Sequence, residues 1–218
     1  MILTPYIMLA ACSGGGAMLI LLGQLPIWIF GIFGIIASTH TTRAELIRAQ
    51  RESNFLAYHD ALTGLPNRLL LMKRLDEECA RVASEPERSS YVLYLDLDGF
   101  KAVNDNFGHG AGDDLLRAVA SRFSLCMRPC DTLGRLGGDE FAAILPQTAV
   151  ETVEAVAHQL IACTREPFTF EGIPLVRIGV SIGGASLSSP PDVRRTLEVA
   201  DTMLYAAKHA GKGTLRLG

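Results

Sequence analysis

The chain has 218 residues, 49% of them hydrophobic and 20% charged, and carries a formal net charge of −3. That near-neutral balance argues against a coat for a nucleic-acid polymer, which needs a basic surface, and the plentiful apolar residues argue against extensive disorder. Five cysteines (Cys12, Cys79, Cys126, Cys130, Cys163) at scattered spacings fit neither a disulfide framework nor a zinc site. In chain order, no Lys, Arg, Asp or Glu precedes Arg43. Residues 1–42 therefore read as a membrane-anchoring segment, since a span needs about 20 apolar residues to cross a hydrocarbon core. A break at Gln24-Leu25-Pro26 divides it into Ile2–Leu22 and Pro26–Thr42, so the segment is one transmembrane helix or a helical hairpin. Arg43, Arg48 and Arg51 follow at once and mark the cytoplasmic flank. A cleaved signal peptide would carry a basic leader and a shorter apolar run.

Residues 43–58 turn polar and helical. Thr42, Leu46, Ala49, Ser53 and Leu56 recur at alternating spacings of four and three, a weak heptad seam suited to a solvated linker helix or a parallel coil. Residues 59–218 read as one globular domain. Its expected elements are a helix over Pro66–Ala83, a buried-type strand over Tyr91–Asp98, and a helix over Gly110–Leu125. Strands over Thr132–Leu136 and Glu140–Leu145 follow, joined by a hairpin turn at Gly137-Gly138-Asp139. Next come a helix over Ala149–Cys163, one strand in which Val176, Ile178, Val180 and Ile182 alternate, a helix over Val193–Ala210 and a strand over Thr214–Leu217. From Tyr91 the order begins strand, helix, strand, strand, helix, strand. That is an α/β (α+β) ferredoxin-like arrangement, with a central antiparallel sheet and helices on one face.

Two acidic pairs stand out. Asp96 and Asp98 end the first strand and, at period two, leave the same face. Asp139 and Glu140 sit at the hairpin tip, and in this fold the hairpin neighbours the first strand. Carboxylates that converge in water repel one another unless a hard cation lies between them, and Mg2+ held by one or two carboxylates plus substrate phosphates is the usual solution. Gly137 and Gly138 leave room for a phosphate chain against their backbone. The residues by themselves point to metal-assisted phosphoryl or nucleotidyl transfer.

Arg135-Leu136-Gly137-Gly138-Asp139-Glu140-Phe141 resembles the signature of the GGDEF family, the diguanylate cyclases. Asp60-Ala61-Leu62-Thr63-Gly64-Leu65-Pro66-Asn67-Arg68 resembles the family's opening motif, with Ala61 where Pro is common. Asp96-Leu97-Asp98-Gly99-Phe100-Lys101 with Asn104-Asp105, then Gly108-His109, Gly112-Asp113, Ser181-Ile182-Gly183 and Ala200-Asp201 through Tyr205 and Lys208, continue the series in family order. The resemblance covers about Asp60 to Gly213.

This resemblance implies the palm-like fold shared with adenylyl cyclases and the condensation of two GTP to cyclic di-GMP, with release of pyrophosphate. It implies that Asp96, the carbonyl of Leu97 and Asp139 hold Mg2+ (or Mn2+), and that Glu140 takes the ribose 3′-hydroxyl proton or helps hold a second metal. Lys101 is implied to stabilise the phosphates, and Phe100 beside it, with Gly137 and Gly138, to line the substrate site. Asn104 and Asp113 would read the guanine, with His109 near the base or ribose. A carboxylate accepts from guanine's two edge donors and is left unpaired by adenine; a helix cap is Asp113's structural alternative. Lys208 and Lys212, one turn apart near the end of the last helix, would meet the triphosphate. The family usually has Arg at the second of these positions, and Lys loses the bidentate fork. Arg128-Pro129-Cys130-Asp131 lies at the spacing of the family's inhibitory RxxD motif, so Arg128 and Asp131 are implied contacts for cyclic di-GMP. The expectation is a product-inhibited homodimer at the inner (cytoplasmic) membrane with its catalytic domain in the cytoplasm. The alternative is a catalytically inactive module that binds GTP or cyclic di-GMP.

Overall fold

A computed structural model of the chain describes residues 24, 26, 28–33, 50, 52, 55–85, 87–170, 172–187 and 190–218. The chain divides into two compact units, Met1–Phe55 and Leu56–Gly218. In the first, residues 28–33 are helical, and Trp28, Ile29, Phe30, Ile32 and Phe33 are exposed. Most of the expected spans Ile2–Leu22 and Pro26–Thr42, and most of the linker helix, lie outside the described residues. Among the described residues no helix is long and apolar enough to cross a membrane.

The second unit runs α1 (Arg68–Ser84), β1 (Ser90–Asp98), α2 (Phe100–Leu125), β2 (Thr132–Gly137), β3 (Glu140–Leu145), α3 (Val150–Arg165), β4 (Phe168–Phe170), β5 (Ile173–Val176), β6 (Gly179–Leu187), α4 (Val193–His209) and β7 (Leu215–Leu217). Its main sheet has the order β2-β3-β1-β6-β7. The β2/β3, β3/β1 and β1/β6 pairs are antiparallel, as a split βαβ fold requires, but β7 joins β6 in parallel, so the sheet is mixed. β4 and β5 form a separate two-stranded sheet.

The structure corrects the expectation of helices on one face. Leu93, Leu95 and Leu97 of β1 pack with Leu115, Leu116, Val119 and Phe123 of α2 and Val153 and Leu160 of α3. Val92 of β1, with Ala142 and Ile144 of β3, packs on the opposite face with Leu71 and Leu75 of α1 and Leu197 of α4. Both faces of β1 are thus covered, which is why Tyr91–Leu95 reads as a continuous apolar run and not as an alternation. The two covering helices lie before and after the split βαβ unit in sequence.

Two element boundaries also differ from expectation. α2 begins at Phe100, ten residues before the expected start, because Phe100 and Val103 bury against the core; Gly108 (φ 82°, ψ 167°) breaks the helix within its Gly-rich stretch. The single strand expected around Val176–Ile182 is two strands in different sheets. Its alternation persists across the break because Val176, Ile178, Val180 and Ile182 all face the same core.

Candidate active site

The two acidic pairs meet through strand register. β1 and β3 pair so that Asp96 lies opposite Glu140, and the Leu97 N–H donates to the Asp139 carbonyl at 3.3 Å. The tip is held from behind by Arg135, whose Nε and Nη2 donate to the Gly138 carbonyl at 3.0 and 2.8 Å. Nη1 of the same guanidinium donates to Asp60 Oδ1 at 2.9 Å, and the Arg135 N–H donates to the Pro66 carbonyl at 2.9 Å. Burial alone would raise the Asp60 pKa; hydrogen bonds from the Thr63 hydroxyl and Arg135 outweigh it and hold the carboxyl below its ordinary range. The opening motif therefore braces the turn that carries the acids. Arg135 escaped sequence reasoning because nothing in a linear pattern pairs it with Asp60, 75 positions away.

Asp96 is half-buried and meets the Lys208 ammonium at 2.7 Å. Burial pushes its carboxyl up, Lys208 opposes this, and the nearby charges of Asp139 and Asp98 add to the rise. Asp139 is half-buried and Glu140 exposed, and neither side chain has a hydrogen-bond or ion-pair partner among the described residues. Among those residues no three His, Cys, Asp or Glu side chains are gathered to hold a metal by themselves. A divalent cation nevertheless suits this donor set: the ligands are hard oxygens, repulsion between them is already felt at Asp96, and an ammonium stands there as counter-charge. Ligands missing from the protein are those that substrate phosphates commonly supply to Mg2+.

Lys101 is exposed in the first turn of α2, while Phe100 beside it is 8% exposed and belongs to the core. Asn104 is half-buried, and its Oδ1 is buried without a hydrogen-bond partner. Gly112 makes that position possible, since a Cβ there would collide with Asn104 Oδ1. An orphaned buried acceptor is costly unless a ligand completes it. Asp113 and His109 are exposed near the Gly108 break. Asp113 lies inside α2, and among the described residues its side chain makes no capping hydrogen bond. Lys208 is in the last turn of α4, but Lys212 lies beyond the helix end at His209, with φ +65°.

The RxxD segment forms the turn between α2 and β2. Arg128 and Asp131 pair at 2.7 Å; the Asp131 side chain is fully buried, and the Arg128 N–H also donates to it at 2.8 Å. Arg128 Nη2 donates further to the Pro146 carbonyl at 3.1 Å and to the Thr148 hydroxyl. The structure brings these two residues together as partners of one another.

The fold is thus an α/β domain whose central strand and adjacent hairpin deliver carboxylates to one sheet end, with Lys208 against Asp96. Family comparison makes the class specific. Residues 57–214 match the family described as "Diguanylate cyclase, GGDEF domain". The chain is 41% identical over 177 residues to the bifunctional diguanylate cyclase/cyclic di-GMP phosphodiesterase MucR of Pseudomonas aeruginosa, covering 81% of this chain and 26% of MucR. It is 39% identical over 165 residues to the probable diguanylate cyclase DgcE of Escherichia coli, covering 75% of this chain and 15% of DgcE. The chain thus spans about a quarter or less of the length of these relatives. The crystal structure of the coiled coil and GGDEF domain of DgcB from Caulobacter crescentus, in complex with c-di-GMP, superposes with a TM-score of 0.79 at 27% identity, covering 86% of this chain and 99% of that one. The chain belongs to the GGDEF domain family of diguanylate cyclases. Membership supports cyclase chemistry of the nucleotidyltransferase type, and such enzymes are generally dependent on a divalent metal.

Proposed function

We propose that the protein is a Mg2+-dependent diguanylate cyclase that joins two GTP into cyclic di-GMP and pyrophosphate. The observation that carries this reading is the register that sets Glu140 opposite Asp96 beside Asp139, with all three acids retained. A divalent cation held by Asp96, the Leu97 carbonyl and Asp139 would neutralise charge at the reacting phosphates. Glu140, unpaired and exposed, accepts the proton of the attacking ribose 3′-hydroxyl as the bond to the α-phosphorus forms and the bond to pyrophosphate breaks. Lys101, Lys208 and Lys212 hold the triphosphate, Lys208 by exchanging its contact with Asp96 for the phosphates. Asn104 and Asp113 read guanine: a base donor satisfies the orphaned Asn104 Oδ1, and the unpaired Asp113 carboxylate accepts from the other edge donors.

Each such site binds one GTP, and the product ring is two-fold symmetric. The working form is therefore a homodimer in which two sites face each other. The uncharged head anchors it in the inner membrane, and residues 43–58 hold the dimer; a coiled coil beside the GGDEF domain of DgcB supports that arrangement. Recovery of the full chain in the membrane pellet after an alkaline wash tests the anchor. Product feedback acts at Arg128 and Asp131, and because Asp131 is buried under Arg128, product is met first by the guanidinium.

The deciding experiment incubates the detergent-purified full chain with GTP and Mg2+ and identifies the products by mass spectrometry. Cyclic di-GMP and pyrophosphate are expected. Bound GTP without conversion would make the protein an inactive binding module.

A further inference from the structure

Asp98 ends β1 two residues beyond Asp96, and the two side chains leave the same face of the strand. Their partners divide them. Asp96 meets an ammonium, whereas Asp98 accepts from the Ser181 hydroxyl, at 2.8 Å to one oxygen and 3.0 Å to the other, and from the Gly213 N–H at 3.0 Å. Ser181 is fully buried on β6, and Asp98 packs over its cross-strand neighbour Gly179, where a Cβ would stand 3.3 Å from a carboxylate oxygen. Oδ2 accepts from the Gly213 N–H and is the nearer oxygen to the Ser181 hydroxyl, whose single hydrogen serves Oδ2 or Oδ1 at any one time. The Asp98 carboxylate is thus engaged by donors of β6 and of the loop after α4.

The far end of the Gly213 contact is a loop of three consecutive residues with positive φ: Gly211 at 109°, Lys212 at 65° and Gly213 at 56°. For a lysine this left-handed conformation is unfavourable and persists only where its surroundings over-determine it. They do so here. The Lys212 N–H donates to the Ala207 carbonyl at 3.3 Å, Arg165 Nη2 donates to the Gly213 carbonyl at 3.2 Å, and the Ile182 N–H donates to the Thr214 carbonyl at 2.9 Å. Asp98 supplies the tie from the acidic strand itself, between residues 115 positions apart.

We infer that Asp98 is a positioning residue, not a metal ligand: through the Gly213 N–H it holds Lys212 in the backbone conformation in which that lysine serves the triphosphate. The two acids of one short motif then have separate tasks, Asp96 toward the cation and Asp98 toward the phosphate-binding loop. This inference rests on the reading of Lys212 as a triphosphate contact.

The test uses the full chain in detergent and two equilibrium readouts besides turnover. One is binding of α,β-methylene GTP, which cannot be cleaved at the reacting bond; the other is binding of Mn2+ alone, followed by its paramagnetic resonance signal. Asp98→Ala is expected to weaken the analogue about tenfold, the equivalent of one lost charged contact, and to leave Mn2+ binding as in the parent. Asp98→Asn is expected to restore analogue binding, because its amide oxygen still accepts from Gly213 and its NH2 donates to Ser181. Lys212→Ala should weaken the analogue by the same factor, and the double variant Asp98→Ala/Lys212→Ala no further.

Loss of Mn2+ binding in Asp98→Asn would make Asp98 a metal ligand and overturn the inference, and that variant decides the matter even if Asp98→Ala does not fold. Additive losses in the double variant would also overturn it. If Lys212→Ala weakens the analogue and Asp98→Ala does not, positioning alone fails. If Lys212→Ala binds the analogue as the parent does, the triphosphate reading of Lys212 fails, and the positioning role with it.

Discussion

Glu140 and Glu78 show how differently two glutamates of one domain are used. Glu140 is exposed at the hairpin tip and has no side-chain partner among the described residues, so its value to the fold is small and its proposed value is chemical. Glu140→Gln is expected to lower turnover by at least about 100-fold, the usual contribution of a general base, with the thermal midpoint unchanged. Substantial cyclase activity in that variant would remove Glu140 from the mechanism. Glu78 is 1% exposed in α1 and accepts from Arg88 at 2.7 Å, Ser90 at 2.6 Å and Arg81 at 2.9 Å. Burial alone would push its carboxyl up; hydrogen bonds from Arg88, Ser90 and Arg81 prevail and hold it below its ordinary range. A carboxyl whose folded pKa is depressed stabilises the fold above its unfolded value, about 4.3 for Glu, and loses that contribution as pH falls through the folded value. The thermal midpoint of the parent should therefore drop more steeply below about pH 4 than that of Glu78→Gln. Parallel acid titrations of the two would count against this account. None of these partners is visible as a sequence motif, since Glu78 sits in a helix whose other acids, Asp76 and Glu77, are exposed or only partly covered.

At the scale of elements, α4 lies close against β6 at Gly183. A Cβ on Gly183 would collide with the Leu204 nitrogen and the Ala200 carbonyl, both backbone atoms of α4 that cannot turn aside. Gly183→Ala is expected to destabilise the protein by about 3 kcal/mol, at the upper end of ordinary overpacking, as read from denaturant unfolding. It should also weaken GTP binding, because α4 carries Lys208 toward Asp96. Unchanged unfolding would mean that α4 does not sit this close to the strand. The turn between α2 and β2 poses the reverse case, in which a motif read as a ligand site is also a structural joint. Arg128 ties the buried Asp131 to the Pro146 carbonyl at the end of β3, so Arg128→Ala strands a buried carboxylate and should lower the thermal midpoint. Well below that midpoint, the same variant is expected to turn over at the parent's early rate but to lose the decline as cyclic di-GMP accumulates. Progress curves that slow as the parent's do would leave the pair with its structural task alone.

At the scale of the whole molecule, the proposed two-fold symmetric product would require two sites to face each other, since one chain carries one Asn104–Asp113 pair proposed to read guanine. Specific activity of the full chain in detergent should fall on dilution with a concentration dependence matching its dimerisation; activity per chain constant far below dimer formation would sink this account. Much of the molecule is legible in the amino-acid sequence alone. The continuous apolar run of β1, the helical periodicity of α1, α3 and α4 and the Gly-Gly turn follow from local rules of spacing and backbone freedom, which a linear pattern records. The acids Asp96, Asp139 and Glu140 stand out in the sequence because charges placed at strand and turn ends are a departure from those rules. Register, however, is a property of paired strands, and only the fold sets Glu140 opposite Asp96. Sequence order alone also could not say that α1 and α4 cover the second face of the sheet, or that Val176 and Val180 belong to different sheets. The same holds for Asp60 with Arg135 and Asp98 with Gly213: such contacts join residues far apart in the chain, and their energies depend on distances that exist only once the backbone has closed.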